Sequence, residues 1–296
     1  MDEISDDPKK ILGHIIKDVA PEVYHDALQP IARETGKALG TIGQVVNVLL
    51  DPFRGLIWGW DKIKCFIVFK TEEKLKDVPI EDIEAPDLTI AGPLIESLRF
   101  VGDERHETLR DMYASLLASA MDKTTMDKAH PSFVHIIGQL LPDEARILHF
   151  LSVNGPIPII FPKMETCDCM IHEWFGYNVH KDLLDFLYCP DKIKYYIENL
   201  ERLNLVKQDY GSTRGGLDEL YQELISDFKA GLKPQREELK KLKIKYHVAP
   251  GILVTTEFGM NFLETCVFAH GEKQKGLWLK PRGADSITLI TPNDLY

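Results

Sequence analysis

The chain has 296 residues, more than one domain usually holds, so we expect two domains. An apolar fraction of 44% suits a globular protein, and no uncharged apolar run reaches the roughly 18–20 residues of a membrane-spanning helix. The formal net charge of −11, with −8 on residues 1–130 and −3 on residues 131–296, counts against general nucleic-acid binding but allows a local basic patch.

Cysteine usage and the acidic start of the sequence indicate a reducing compartment. The five cysteines are odd in number and scattered, and the first ten residues, MDEISDDPKK, are unlike a basic leader. We therefore expect reduced thiols and a cytoplasmic location.

Two pairs of glycines mark an uncharged stretch near the start of the chain. Gly36 and Gly40 flank the beginning of the 13-residue run Ala38–Leu50, and Gly55 and Gly59 follow after Asp51 and Pro52. Glycines four residues apart lie on one helix face and let another backbone approach closely. The pattern favours a packed helical hairpin in a soluble core, and it leaves a membrane-active hairpin or an oligomer seam open for residues 36–60.

Helical spacing continues up to residue 129. We predict helices over 61–77, 88–100 and 104–121, and the last of these has an apolar stripe of Leu109, Met112, Leu116 and Leu117. Residues 79–87 contain two prolines and four acids and read as an extended connector. Residues 1–129 are thus predicted to form an N-terminal helical bundle.

The stretch from His130 to Val153 contains two short amphipathic helices, each opened by a proline that suits a first helical turn. Pro131 opens the first, in which Phe133 belongs to the apolar stripe. Pro142 opens the second, which carries Asp143 and Glu144 in its first turn. His130 fits a helix-terminus residue that bonds the backbone better than it fits a general base.

The rest of the chain resembles a winged helix with an insertion. Asp191–Asn204 is a strong amphipathic helix, Leu205–Lys207 follows at once, and Ile252–Val254 suits a second wing strand. Thr255 or Thr256 is placed to cap a closing helix. We therefore predict a mainly α fold with a small β component, in which 130–296 is a winged-helix-like domain with a helical insertion at 210–249.

The insertion holds a basic stretch with a net charge of +4, formed by six cations against Glu237 and Glu238. The plain interpretation is a solvated helix face, and the alternative is a contact with an acidic partner or a phosphate. The cations are Lys233, Arg236, Lys240, Lys241, Lys243 and Lys245.

We expect neither a metal nor a cofactor. Cys167, Cys169, His172 and Cys189 could supply four zinc ligands, but a single C-x-C favours buried thiols and imidazole instead. The sequence has no P-loop, no G-x-G-x-x-G after a strand, no H-E-x-x-H and no G-x-S-x-G. These absences lower the odds of an enzyme.

Several short blocks of sequence occur in a characteristic order and spacing. The blocks are Tyr24–Pro30, Gly36–Gly40, Pro52–Gly59, Ala91–Pro93, Leu116–Ala118, His130–Phe133, Leu141–Ala145, Thr256–Gly259 and Phe262–Leu263. Together they resemble the Abi-alpha family, a bacterial domain named for abortive infection whose molecular activity is not established. The match covers nearly the whole chain in pieces and is thinnest in 210–249. The resemblance implies a role in defence against phage and transfers no catalytic residue.

The combined interpretation is a non-enzymatic anti-phage protein that acts through a protein partner or self-association. One rival is a winged-helix DNA-binding regulator, but the predicted helix Asp191–Asn204 carries three cations and three acids and is neutral, whereas helices that read DNA are usually basic. A second rival is an enzyme, such as a nuclease, with a site that the sequence does not reveal. A membrane-active effector that uses residues 36–60 is the third.

Overall fold

The computed structural model describes residues 60–101, 104–166, 171–173, 178–214, 218–268, 279–281, 288–291 and 294. The chain forms two compact units that divide between Leu140 and Leu141, and a short segment beginning at Thr265 belongs again to the first unit. Helices dominate and a smaller antiparallel sheet accompanies them, which confirms the predicted fold class.

The first unit is helical in its described part. α1 packs against α3, and α2 packs against α3 and α4. The predicted stripe on α3 forms the centre of this core, since each of its four side chains is at most 3% exposed. The helices are α1 Trp60–Leu75, α2 Leu88–Ser97, α3 Glu107–Met121 and α4 Pro131–Ile137.

The second unit contains the remaining helices and the strands. Its helices are α5 Pro142–Asn154, α6 Lys181–Asp185, α7 Ile193–Arg202, α8 Asp218–Leu232, α9 Arg236–Lys241 and α10 Glu257–Cys266, the last of which ends in the returning segment. Its strands are β1 Ile157–Glu165, β2 Ile171–Glu173, β3 Asn178–Val179, β4 Val206–Tyr210, β5 Ser212–Arg214, β6 Lys245–Thr255, β7 Leu279–Pro281 and β8 Thr288–Ile290.

The main sheet is antiparallel and runs in the order β2-β1-β6-β4, with β3 also paired to β1 and β8 to β6. Ile157 of β1 lies opposite Leu253, and Val206 of β4 lies opposite Thr255. The predicted wing strands β4 and β6 therefore pair directly, although a long insertion separates them. The order β1-β6-β4 with α7 before β4 is what we expect of a winged helix, and that finer assignment remains a prediction.

The insertion helix α8 covers one face of the sheet. Its apolar stripe packs on side chains of β1 and β6, and Tyr221 donates a hydrogen bond to the Gly251 carbonyl at 3.0 Å. The insertion is therefore part of the core and is not a surface appendage. The buried residues of this layer are Tyr221, Leu224, Phe228, Leu232, Leu239, Ile160, Tyr246, Val248, Ile252 and Val254.

Two local details differ from the sequence prediction. The segment Pro156–Cys189, for which no regular element was predicted, contains β1, β2, β3 and α6. Within the predicted helical insertion, the pattern of Gln235–Lys245 favours a single helix, but α9 ends at Lys241. Lys243 adopts a left-handed conformation with φ of 53°, and the Ile244 N–H closes the turn onto the Leu239 carbonyl.

The junction between α7 and α10 is tightly packed. Asn204 ends α7 with φ of 56°, a conformation that Asn tolerates. Thr256 caps α10, since its Oγ1 accepts the Gly259 N–H at 2.8 Å. A Cβ on Gly259 would overlap the Leu205 carbonyl, so this close approach requires glycine.

Candidate interaction site

The inner face of α5 begins with Asp143, which is 4% exposed and sits in the first turn of the helix. Its Oδ1 accepts the Tyr188 N–H at 2.8 Å, and its Oδ2 accepts the Cys189 N–H at 2.8 Å and the Tyr196 hydroxyl at 3.1 Å. Burial, and then the hydrogen bond and charge of Asp143, raise the pKa of Tyr196. This carboxylate thus ties the loop before α7, and α7 itself, to α5.

Glu144 does the same one residue later and is 1% exposed. Its Oε2 accepts the Leu141 N–H at 2.8 Å, which caps α5, and the Asn199 side-chain amide of α7 at 2.9 Å. Burial raises the pKa of Glu144, although these two hydrogen bonds and the charge of Arg202 oppose the rise. Both acids are occupied as acceptors from protein donors, so their position favours holding the fold over acid–base chemistry.

The outer face of α5 has the opposite character. Arg146 donates its Nε–H to the Phe186 carbonyl at 2.6 Å, and its guanidinium lies 4.3 Å from the Phe186 ring centroid and 4.5 Å from that of Tyr188. His149 stacks on Phe186 with centroids 6.3 Å apart, and Phe150 lies 5.9 Å from the same ring. We call this set, completed by Val153, the Arg146 surface.

The sequence alone did not predict the Arg146 surface, although part of its signal is present there. Arg146, His149, Phe150 and Val153 recur at helical spacing, on the side of α5 away from the buried stripe of Ile147, Leu148 and Leu151. The contribution of Phe186 and Tyr188 depends on a contact across about 40 residues, which no local pattern reports.

The exposed face of α7 is mixed in charge. Lys194 pairs with Glu198 at 3.9 Å, and the Arg202 Nε donates to the Asn199 side chain at 2.9 Å. Tyr195 is 70% exposed between them. This face therefore presents an aromatic ring among paired charges.

The predicted basic stretch is spread over several elements. Lys233 lies in a 3-10 turn, Arg236, Lys240 and Lys241 belong to α9, and Lys243 and Lys245 follow at the start of β6. Lys240 pairs with Glu237 at 3.6 Å and Lys245 with Glu165 at 3.9 Å. Some of its charge is thus neutralised within the unit, while Lys233, Lys241 and Lys243 are exposed.

His130 lies in the first unit, at the start of α4. Its Nδ1 accepts the Ser132 N–H at 3.1 Å, and Pro131 occupies the first helical position. Phe133 is buried, with its ring centroid 6.1 Å from that of His130. His130 is exposed and acts as the cap of the helix, the arrangement that the sequence favours.

Other predicted site residues fall on parts of the chain that are not described. Gly36, Gly40, Gly55 and Gly59 lie outside the described residues, as do Cys167 and Cys169. His172 lies on β2, and Cys189 is an exposed free thiol, so the expectation of a buried thiol is wrong for Cys189. Within the described ranges, no three His, Cys, Asp or Glu side chains come together as metal ligands do.

Every helix in the described ranges is too short or too polar to cross a bilayer.

Comparison with known proteins gives one match. No curated protein and no solved structure matches the chain significantly. The family model described as Abortive infection alpha matches residues 64–266, more than half of the chain and a span that includes α5, α7 and the Arg146 surface. The chain therefore belongs to the Abi_alpha, or abortive infection alpha, family.

Proposed function

We propose that the chain is a bacterial anti-phage defence protein that acts in the cytoplasm by contacting another protein, with the second unit as a winged-helix-like contact domain. The family name supports the defence role. The arrangement of α5 supports action through a protein contact. Its two acids accept hydrogen bonds within the unit, while its aromatic and cationic side chains face outward.

The composition of the outward surfaces supports a protein partner. Protein interfaces are enriched in Tyr, Phe and Arg, and the largest energetic contributions come from such residues. Tyr188 is 53% exposed, Tyr195 is 70% exposed, and Arg146 is held between two rings. Exposed aromatic residues grouped with an arginine on one surface are typical of sites of protein contact.

Protection in cells tests this proposal. Bacteria that express the chain, challenged with a panel of phages, should yield fewer plaques or release fewer progeny for at least one phage than bacteria with an empty vector. Equal plating of every phage, with the protein present at matched levels, would contradict the defence role.

A DNA-binding regulator is the second candidate, and the strand order around α7 is the observation that favours it. The mixed charge of the α7 face opposes it, because groove-reading helices are usually basic. We expect no tight duplex binding by the purified chain. A sub-micromolar affinity that falls steeply with added salt would favour the regulator.

The membrane-active alternative concerns residues 36–60, which lie outside the described residues except for Trp60. Liposomes loaded with dye test it, and we expect no leakage from the wild-type chain. Leakage at low protein concentration, reduced by Gly40→Leu, would move the mechanism to the membrane.

A further inference from the structure

Arg146 is fixed in place yet keeps most of its hydrogen-bonding capacity. A guanidinium has five N–H donors, and only the Nε–H has an acceptor among the residues that the structure describes. The rings of Phe186 and Tyr188, at 4.3 and 4.5 Å, hold the planar group at the surface. The four remaining N–H donors are therefore presented in a pre-organised fork, the geometry that binds a carboxylate through two parallel hydrogen bonds.

Two aromatic rings lie beside this fork, those of Phe186 and Tyr188. Tyr188 is 53% exposed, and His149 lies against Phe186. Asp143 lies one helical turn before Arg146, but it is buried and its oxygens accept the Tyr188 and Cys189 N–H groups. Among the described residues, no carboxylate forms an ion pair with Arg146. Within that part of the chain, Arg146 is thus an unpaired positive charge beside two aromatic rings.

From this geometry we infer that the Arg146 surface is a docking site for an acidic segment of a partner protein, one that places a carboxylate on Arg146 and an apolar side chain beside Tyr188. The inference rests on the proposed function and names the chemistry of its partner. A nucleic acid is the poorer fit, because a phosphate backbone needs several cations along one face, whereas the exposed face of α7 is neutral.

Selection from a random peptide library displayed on yeast tests the inference while the partner itself is unidentified. The full-length purified chain, labelled with a fluorophore, should enrich peptides that contain Asp or Glu next to apolar residues. One enriched peptide is then synthesised, and its Kd is measured for the wild type and for variants, beside a copy in which Gln replaces Glu and Asn replaces Asp.

Arg146→Gln should weaken binding of that peptide by about tenfold or more, as expected for a central interface arginine. Arg146→Lys keeps the charge but loses the fork, so its affinity for the peptide should lie between those of the wild type and Arg146→Gln. Lys207→Gln is the matched control, because it removes one exposed positive charge from β4, and it should bind like the wild type. Melting temperatures of all variants separate lost binding from lost folding.

Each other outcome overturns the inference. These outcomes are enrichment of basic or neutral peptides, no enrichment, or equal binding by Arg146→Gln. A concentration-dependent dimer that Arg146→Gln disperses would assign the face to a second copy of the chain instead, and a duplex oligonucleotide that binds more tightly in an Arg146-dependent manner would assign it to nucleic acid. Because binding is measured in vitro, its failure is separate from a failure of phage protection, which tests the proposed function itself.

Discussion

The two faces of α5 lie within a few residues of each other and differ in how their polar groups are paired. On the inner face, Asp143 and Glu144 are almost fully buried, and each accepts hydrogen bonds from the loop or helix that it faces. On the outer face, Arg146 is held by two rings, and among the described residues four of its five N–H donors have no acceptor. The polar groups of the inner face are thus paired within the chain, and we propose that a partner pairs with Arg146 on the outer face.

Because the two faces differ in this way, folding and function can be separated by mutation. Buried polar groups that are fully paired cost stability when one partner is removed, since the others are left unsatisfied. A fixed but unsatisfied group at the surface contributes little to folding, and its pairing energy becomes available on binding. Mutations on the two faces should therefore act on different measurements.

The largest expected effect is that of Asp143→Ala. The substitution leaves the Tyr188 and Cys189 N–H groups and the Tyr196 hydroxyl without their acceptor, which should lower the free energy of unfolding by about 3–5 kcal/mol. Urea unfolding followed by circular dichroism measures this. The exposed Asp191 is the control, and Asp191→Ala should change stability by less than about 0.5 kcal/mol. Equal effects of the two would show that the buried carboxylate does not hold α7.

Gly259→Ala should come next, because the new methyl group meets the Leu205 backbone and that backbone must move. We expect a loss of about 1–3 kcal/mol, typical of overpacking. Gly231 in α8 is the matched control, since a Cβ there meets nothing within 4 Å, and Gly231→Ala should stabilise the chain by up to about 1 kcal/mol. Thermal melts of both variants show whether each substitution raises or lowers the melting temperature. A Gly259→Ala protein as stable as the wild type would rule out the tight α7–α10 junction.

Glu144 should give the inner face a measurable pH dependence. Because its pKa is raised in the folded chain, the folded state binds the proton more tightly than the unfolded state does. The stability that Glu144 contributes should therefore fall as the pH rises from its ordinary value of 4.5 through the raised pKa. The unfolding free energy of the wild type, measured relative to that of Glu144→Gln across this window, should fall as the pH rises. A constant difference would contradict the raised pKa.

Control variants aside, the smallest stability effect should be that of Arg146→Gln. The variant loses the Phe186 and Tyr188 contacts at a partly exposed site, which we expect to cost about 0.5–1 kcal/mol. Calorimetry on the purified protein measures it. A loss as large as that of Asp143→Ala would mean that the outer face is also part of the folding core.

The sequence predicted the parts of the fold that local periodicity encodes. The stripes of α3 and α7 are examples, since Leu109, Met112, Tyr196 and Leu200 recur at helical spacing and are buried. Strand β1 was not predicted because Pro158 and Pro162 weaken a strand pattern. In the structure, neither proline is among the β1 residues that pair with β2 or β3.

The candidate site was only half predictable. Asp143 and Glu144 stand out in sequence as first-turn acids of a helix, but their partners come from 45 to 55 positions further on. The Arg146 surface depends on the fold bringing Phe186 and Tyr188 beside α5, a placement that has no local signature. Charge counts did predict the neutral α7 face, because composition needs no contact information.

Phage protection by Arg146→Gln, compared with the melting temperature of the variant, tests whether this surface binds a partner. We expect the melting temperature to stay within about 4 °C of the wild type, as a loss near 1 kcal/mol implies, while protection is lost. Lys207→Gln should keep the wild-type melting temperature and full protection, and Asp143→Ala should lower the melting temperature and abolish protection. Full protection by a stably folded Arg146→Gln protein would contradict the assignment of this face to partner binding.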